Sequence, residues 1–205
     1  MELFFAPFAC SLASHIAARE AGIELGLRQV SLSTKRTADG VDYLTIAPKG
    51  YVPALRLDDG TLLSENPVVL QYLADQRPEA GLLPAPGTRD RYAVLEWVGY
   101  ISTEIHKGIF ALIFNPASPE AAKQFARELA QKKLPLLAER LEGREFLATD
   151  RFTIADAYLI WALNLCAFAG ISLDAWPALS TYLARMQARP SVRDALAYEQ
   201  ERFAA

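Results

Sequence analysis

Pro53-Ala54-Leu55-Arg56-Leu57-Asp58-Asp59-Gly60-Thr61-Leu62-Leu63-Ser64 reads as two short strands folded about an Asp-Gly turn, because Asp-Gly accepts the backbone angles that a tight hairpin needs. On its C-terminal side, Glu65 to Gln76 carries apolar residues at helical spacing, with Val68, Val69, Tyr72 and Leu73 assigned to the buried side. On its N-terminal side, Glu2 to Ala6 is a short β-like run. Ser11 to Ala21 is an amphipathic helix with Leu12, Ile16 and Ala17 on one side, closed by Gly22, and Leu27 to Leu32 alternates as a half-buried strand does. Ser33 to Gly50 is polar and loop-rich, with a helical turn near Val41 to Leu44. The order β-α-β-(α)-β-β-α predicts a compact α/β sandwich over residues 1–80.

Arg77 to Thr88 holds Pro78, Gly81, Pro84, Pro86 and Gly87, a density of breakers that marks a linker at residues 81–88. Residues 89–205 show no strand pattern and read as an all-helical domain. Arg89 to Phe114 is one long helix, and Ser118-Pro119-Glu120 supplies an N-cap serine followed by proline at the first helical position. Thr153-Ile154-Ala155-Asp156 opens an apolar helix through Ile171 with a capping-box pattern, Asp standing for the usual Glu or Gln. Loss of that cap at Asp156 is expected to cost on the order of 1 kcal/mol. A further helix runs from Pro177 to Ala188, and Ser191-Val192-Arg193-Asp194 repeats the cap pattern for the last one.

The composition excludes several classes of function. With a net charge of -3 and both signs interspersed, the chain has no basic stripe to track nucleic acid. The apolar stretch Ala157 to Ile171 is too short to span a bilayer, so no membrane role is expected. Met1 to Cys10 has neither a basic segment nor a long apolar core, which is unlike a signal peptide. The two cysteines, Cys10 and Cys166, are far apart and in no metal-ligand spacing, so neither a disulfide framework nor a metal is expected, and a reducing cytoplasm is the default.

Cys10 falls between a strand and the first turn of a helix: read plainly it is a small buried side chain, and read functionally it is a reactive thiol, since free N–H groups and the positive helix end favour a thiolate. With Ala13 in place of a second cysteine, paired Cys-x-x-Cys chemistry is excluded. Val52-Pro53 is either an ordinary trans entry into a strand or a cis bond that leaves the Val52 backbone groups to pair with an extended peptide. Ser64-Glu65-Asn66-Pro67 opens a helix: read plainly it is a cap, and read functionally it is an anion site suited to a carboxylate, with Glu65 accepting from a neighbouring amine. His106-Lys107 reads by itself as a solvated polar face. His15 reads as a surface or boundary residue, Cys166 as inert core, and Trp97, Trp161 and Trp176 as core or interface.

Taken together, Ala9-Cys10-Ser11-Leu12-Ala13-Ser14-His15, Pro48-Lys49-Gly50-Tyr51-Val52-Pro53-Ala54-Leu55, Leu57-Asp58-Asp59-Gly60, Gln71-Tyr72-Leu73-Ala74-Asp75, Glu104-Ile105-His106-Lys107 and Phe152-Thr153-Ile154-Ala155-Asp156-Ala157-Tyr158 resemble the bacterial beta-class glutathione transferases, in order and at matching spacing over essentially the whole chain. The resemblance implies a thioredoxin-like N-terminal domain, an all-α C-terminal domain and a homodimer. It implies a cis Pro53, Val52 pairing with the cysteinyl backbone of glutathione, and Glu65 and Asn66 at the γ-glutamyl end. Cys10 and His106 would serve the glutathione sulfur, and Lys35 and Lys107 its carboxylates. Three positions depart from the class pattern: Asn66 where Ser or Gly is usual, Gly99 where Asn is frequent, and Phe8 where a Pro-Gly turn is common.

Three functions follow as expectations. The first is attack of the glutathione thiolate on a small apolar electrophile, in a pocket lined partly by Ile109, Phe110 and Ile113. The second is thiol-disulfide or peroxide chemistry through a mixed disulfide at Cys10. The third is non-catalytic binding that reuses the fold.

Overall fold

The computed structural model describes residues 1–203. Residues Met1–Leu83 form one compact unit together with the last helix, and Pro84–Arg189 form the other. In the first unit a five-stranded sheet has the order β3-β2-β1-β4-β5. Its strands are β1 (Glu2–Phe5), β2 (Gly26–Ser31), β3 (Arg36–Thr37), β4 (Ala54–Arg56) and β5 (Leu62–Ser64). Parallel pairing of β1 with β2 sets Leu3 opposite Leu27, and antiparallel pairing of β1 with β4 sets Leu3 opposite Leu55. The expected hairpin pairs Leu55 with Leu63. β3 is too short to leave a two-residue periodicity, and the sequence reading missed it. The single helical turn lies at Tyr43–Thr45, capped by the Asp42 side chain.

Alternation along β1 sorts the core. Phe4 packs on one face with Val30, Tyr43, Val52 and Ala54, while Leu3 and Phe5 pack on the other with Ala18, Leu55, Val69 and Leu73. The second face is covered by α1 (Ser11–Glu20) and α2 (Asn66–Gln76). α2 buries Val69, Leu70, Leu73 and Ala74. Val68, expected inside, is 46% exposed, because Pro67 and Asn66 set the helix phase one position on.

The second unit is wholly helical among the described residues. Its elements are α3 (Arg89–Tyr100), a π-helical stretch (Ile101–Phe110), α4 (Ala111–Ile113), α5 (Glu120–Leu141), α6 (Ile154–Phe168) and α7 (Pro177–Gln187). The single long helix expected from Arg89 to Phe114 is thus one rod with a wide-turned segment inside it. The start of α5 is capped by Pro119, not Ser118: Pro119 is extended, and its carbonyl accepts from the Ala122 and Lys123 N–H groups. No helix among the described residues is long and apolar enough to cross a membrane.

The last helix, α8 (Pro190–Phe203), corrects two expectations. It belongs to the first unit rather than to a continuous helical domain from residue 89 to the end. The Ser191 hydroxyl donates to Glu20, and Asp194 pairs with Arg19, so both anchor α8 to α1 instead of forming a cap. The deepest link is Glu199, fully buried: one carboxylate oxygen accepts from the Phe8 N–H at 2.7 Å, and the other lies 3.4 Å from His15 Nδ1. His15, expected near the surface, is 3% exposed and stacks edge-on to Tyr198.

Burial pushes the Glu199 carboxyl above its ordinary range, against the pull of the His15 ring and the Phe8 N–H. Because folding raises this value, the contribution to stability is complete below the ordinary glutamate range and is lost as pH rises through the raised value. Glu199→Gln keeps an acceptor for Phe8 and removes the titration. Its melting temperature relative to wild type is expected to improve from acid to neutral pH, and parallel curves for the two proteins would show that Glu199 does not set this slope.

In the second unit, Asp156 is fully buried at the start of α6. Its Oδ2 accepts from the Thr153 N–H and hydroxyl, and its Oδ1 accepts from the Leu147 N–H at 2.8 Å and the Tyr182 hydroxyl at 2.8 Å. The capping box is therefore also a junction of three segments. Asp156→Ala is expected to cost at least about 2 kcal/mol, since it removes a cap and leaves buried donors unsatisfied; a thermal melt within a degree of wild type would disprove that account.

Candidate functional site

Cys10 occupies the N-cap position of α1 and is 8% exposed. Its Sγ–H donates to the Val52 carbonyl at 3.2 Å. The Val52–Pro53 peptide is cis, the alternative that the resemblance implied, and it leads directly into β4. Tyr43 Oη donates to the Tyr51 carbonyl at 2.8 Å, and Lys35 Nζ donates to the Gly50 carbonyl at 2.9 Å and lies over the Tyr51 ring. The segment 50–52 is thus held by one side chain on each successive carbonyl, from Lys35, Tyr43 and Cys10.

Glu65 caps α2 with φ 71°. Its carbonyl accepts from the Val68 and Val69 N–H groups, and its carboxylate pairs with Lys49 at 3.0 Å. Pro67 has no N–H, so an anion at this helix start has the Glu65 and Asn66 N–H groups and the Asn66 side chain as donors. Asn66 is 4% exposed; its Oδ1 accepts from the Ser14 hydroxyl at 2.7 Å, and its Nδ2 is buried without a hydrogen-bond partner among the described residues. An orphaned buried donor costs about 1–3 kcal/mol and calls for an acceptor.

The structure therefore gathers Cys10, Lys35, Val52, Pro53, Glu65 and Asn66 in the first unit. His106 and Lys107 lie in the second unit, on the π-helical stretch. His106 Nδ1 is 2.8 Å from Tyr158 Oη, and its ring meets the Trp161 edge at 4.6 Å. Reading His106 as a solvated polar face missed this, because the signal sits 52 residues away on α6. Ile109, Phe110 and Ile113, expected to line a pocket, are all buried, with Phe110 edge-on to Trp161. Among the described residues no three His, Cys, Asp or Glu side chains cluster as a metal site would.

The sequence matches the glutathione S-transferase N-terminal domain over residues 9–76 and the glutathione S-transferase C-terminal domain over residues 100–190. This chain belongs to the glutathione S-transferase family. It is 45% identical over 199 residues to glutathione S-transferase GstA of Escherichia coli O157:H7, covering 97% of this chain and 98% of that protein. A sphingomonad glutathione S-transferase solved in complex with glutathione is 44% identical, with a TM-score of 0.93 over 98% of this chain and 99% of that one. The bacterial beta-class enzyme of Sphingomonas chungbukensis is 42% identical, with a TM-score of 0.93 over 97% and 98% of the two chains. The chain is accordingly a bacterial beta-class-like glutathione S-transferase.

The departures from the class pattern acquire physical meaning in this transferase. Phe8 has φ 58°, a left-handed conformation natural to the glycine usual there and costing other residues roughly 1–2 kcal/mol. Offsetting contacts come from the Glu199 bond and from the Phe203 ring at 5.4 Å. Gly99 is exposed on α3 and would have open space around a Cβ, so packing does not require it. Phe8, Lys35 and Glu65 are the three non-glycine residues with positive φ among the described residues, and all three adjoin this site.

Both thiols are buried, but Cys10 keeps 8% of its surface exposed. Cys166 is 1% exposed, donates to the Ala162 carbonyl, and is pushed up to about 12 by burial. An alkylating reagent is expected to modify Cys10 alone in the native transferase and both cysteines after unfolding in guanidinium. Native-state labelling of Cys166, read by peptide mass spectrometry, would contradict this.

Proposed function

We propose that this transferase binds glutathione in the first unit and conjugates its thiolate to small apolar electrophiles. The observation that carries the reading is the arrangement at residues 50–53 and 65–66, a cis-proline turn against the Cys10 thiol together with a buried unsatisfied donor at a helix start. A tripeptide with a carboxylate and an amine at one end and a thiol in the middle matches that order of groups. Val52 pairs with its cysteinyl backbone. Asn66 receives the γ-glutamyl carboxylate, and Glu65 exchanges Lys49 for the γ-glutamyl amine. Lys35 and Lys107 neutralise the glycyl carboxylate, and Cys10 and His106 serve the sulfur. Catalysis then consists of stabilising the thiolate by donors fixed in advance. Its sulfur forms the new bond to the electrophilic carbon as the leaving group departs with its electron pair.

A second reading is favoured by the placement of Cys10 at the start of α1. As thiolate it attacks one sulfur of an oxidised glutathione-type disulfide, expels the other thiolate and keeps a mixed disulfide. A further thiol then releases this. The homodimer and a cytoplasmic setting belong to the same proposal.

Conjugation of glutathione to chlorodinitrobenzene, measured for wild type beside Cys10→Ala, separates these readings. The expected result is a clear wild-type rate, most of which Cys10→Ala retains, with glutathione as the nucleophile. A wild type inactive at millimolar glutathione would reject conjugation of this substrate. A mass shift of one glutathione on Cys10, with reductase activity lost in the variant, would put the redox reading first.

A further inference from the structure

His106 sits where the backbone is built to an unusual gauge. Across the π-helical stretch the Ala111 N–H reaches the His106 carbonyl five residues back. Gly108 fits this wide turn because a Cβ there would lie 3.2 Å from the Thr103 carbonyl oxygen. π-helical insertions recur at functional sites because they re-aim side chains that an α-helix would point elsewhere. Here the re-aimed ring is received by α6: Tyr158 and Trp161, three residues apart on one face, are 0% and 2% exposed. Trp161 meets the imidazole at 4.6 Å with the planes at 64°, and Tyr158 Oη lies 2.8 Å from Nδ1. Two residues before Tyr158, the buried Asp156 junction fixes the start of the helix.

A neutral imidazole has one donor nitrogen and one acceptor nitrogen, and the partner of one decides the state of the other. A buried phenol whose O–H donates a hydrogen bond to Nδ1 leaves the ring hydrogen on Nε2, whereas one that accepts from Nδ1–H leaves Nε2 bare. We propose that Tyr158 is a positioning residue that holds His106 in the Nε2–H tautomer, so that His106 serves the bound thiol as a hydrogen-bond donor and not as the base that deprotonates it. When the glutathione S–H bond breaks, its electron pair stays on sulfur under the Nε2–H donor, and its proton passes to solvent. The role given to His106 rests on the reading under Proposed function; the tautomer does not.

Two measurements on the full-length protein test this separately. Nitrogen-15 NMR of histidine-labelled protein, above the pH at which imidazolium titrates, is expected to show His106 Nδ1 as the bare nitrogen and Nε2 as the protonated one. Tyr158→Phe, which removes one oxygen and keeps the ring, is expected to increase the Nδ1–H form. Protonated Nδ1 in wild type, or a tautomer ratio unchanged in Tyr158→Phe, overturns the positioning role without any use of glutathione. For the donor role, glutamine offers an amide N–H near the place of Nε2 but cannot act as a base. His106→Gln is expected to keep kcat within about tenfold of wild type, while His106→Ala loses about 10²-fold, with KM for glutathione little changed in both. Equal losses in the two variants overturn the donor role in favour of a base. Unchanged rates in both show that His106 does not serve the thiol, and that failure leaves the NMR result standing by itself.

Discussion

The second unit depends on one carboxylate taken out of water. Asp156 has no solvent contact, and burial alone raises the cost of its charge; four donors from Thr153, Leu147 and Tyr182 offset that cost. The three residues that supply those donors belong to different structural tasks. Thr153 starts α6, Leu147 closes the segment that leads to it, and Tyr182 brings in α7. A carboxylate satisfied on both oxygens by partners from three places fixes those places relative to one another, because a hydrogen bond lost in a buried site leaves a group that nothing else can satisfy. The rotation of α6 about its axis follows from this, and with it the direction of Tyr158 and Trp161.

Glu199 plays the corresponding part in the first unit, with a different economy. Asp156 meets four donors, whereas Glu199 has the Phe8 N–H and the His15 ring. The residue is more than 180 positions from Phe8 in sequence, yet it restrains the turn that ends at Cys10. The last helix thus completes the unit made by the first eighty-three residues, and the turn before Cys10 is held by a buried carboxylate.

Much of this was legible in the sequence because it is written in local code. The hairpin at Asp59-Gly60 follows from which backbone angles a residue tolerates, and the capping box at Thr153–Asp156 from short-range geometry. What was not legible depends on contacts distant in sequence. His15 looked like a boundary residue because its partner is Glu199. Ser191 and Asp194 imitated a cap because the residues that cap a helix are also those that anchor one to its neighbour, here through Glu20 and Arg19. His106 carried no periodic signal at all: a π-helical stretch shifts the phase of every side chain after it, so a reading at 3.6 residues per turn cannot say which way the ring points.

Strain is distributed unevenly along the chain. Most of the left-handed turns are made by glycines, which adopt them without penalty, but Phe8, Lys35 and Glu65 do so with side chains attached. Each has a contact that glycine could not make. Phe8 packs its ring on Phe203, Lys35 places its ammonium on the Gly50 carbonyl, and Glu65 pairs its carboxylate with Lys49. Two of these side chains are ones proposed to meet ligand, and the third shapes the turn before the thiol. The unsatisfied Asn66 amide lies in the same region. The strained non-glycine backbone of the described residues is therefore concentrated in the same unit as the orphaned Asn66 amide. Such terms reduce stability without ligand, and those that a ligand relieves count toward binding it, which makes their concentration at residues 8, 35, 65 and 66 a physical reason to place the ligand there.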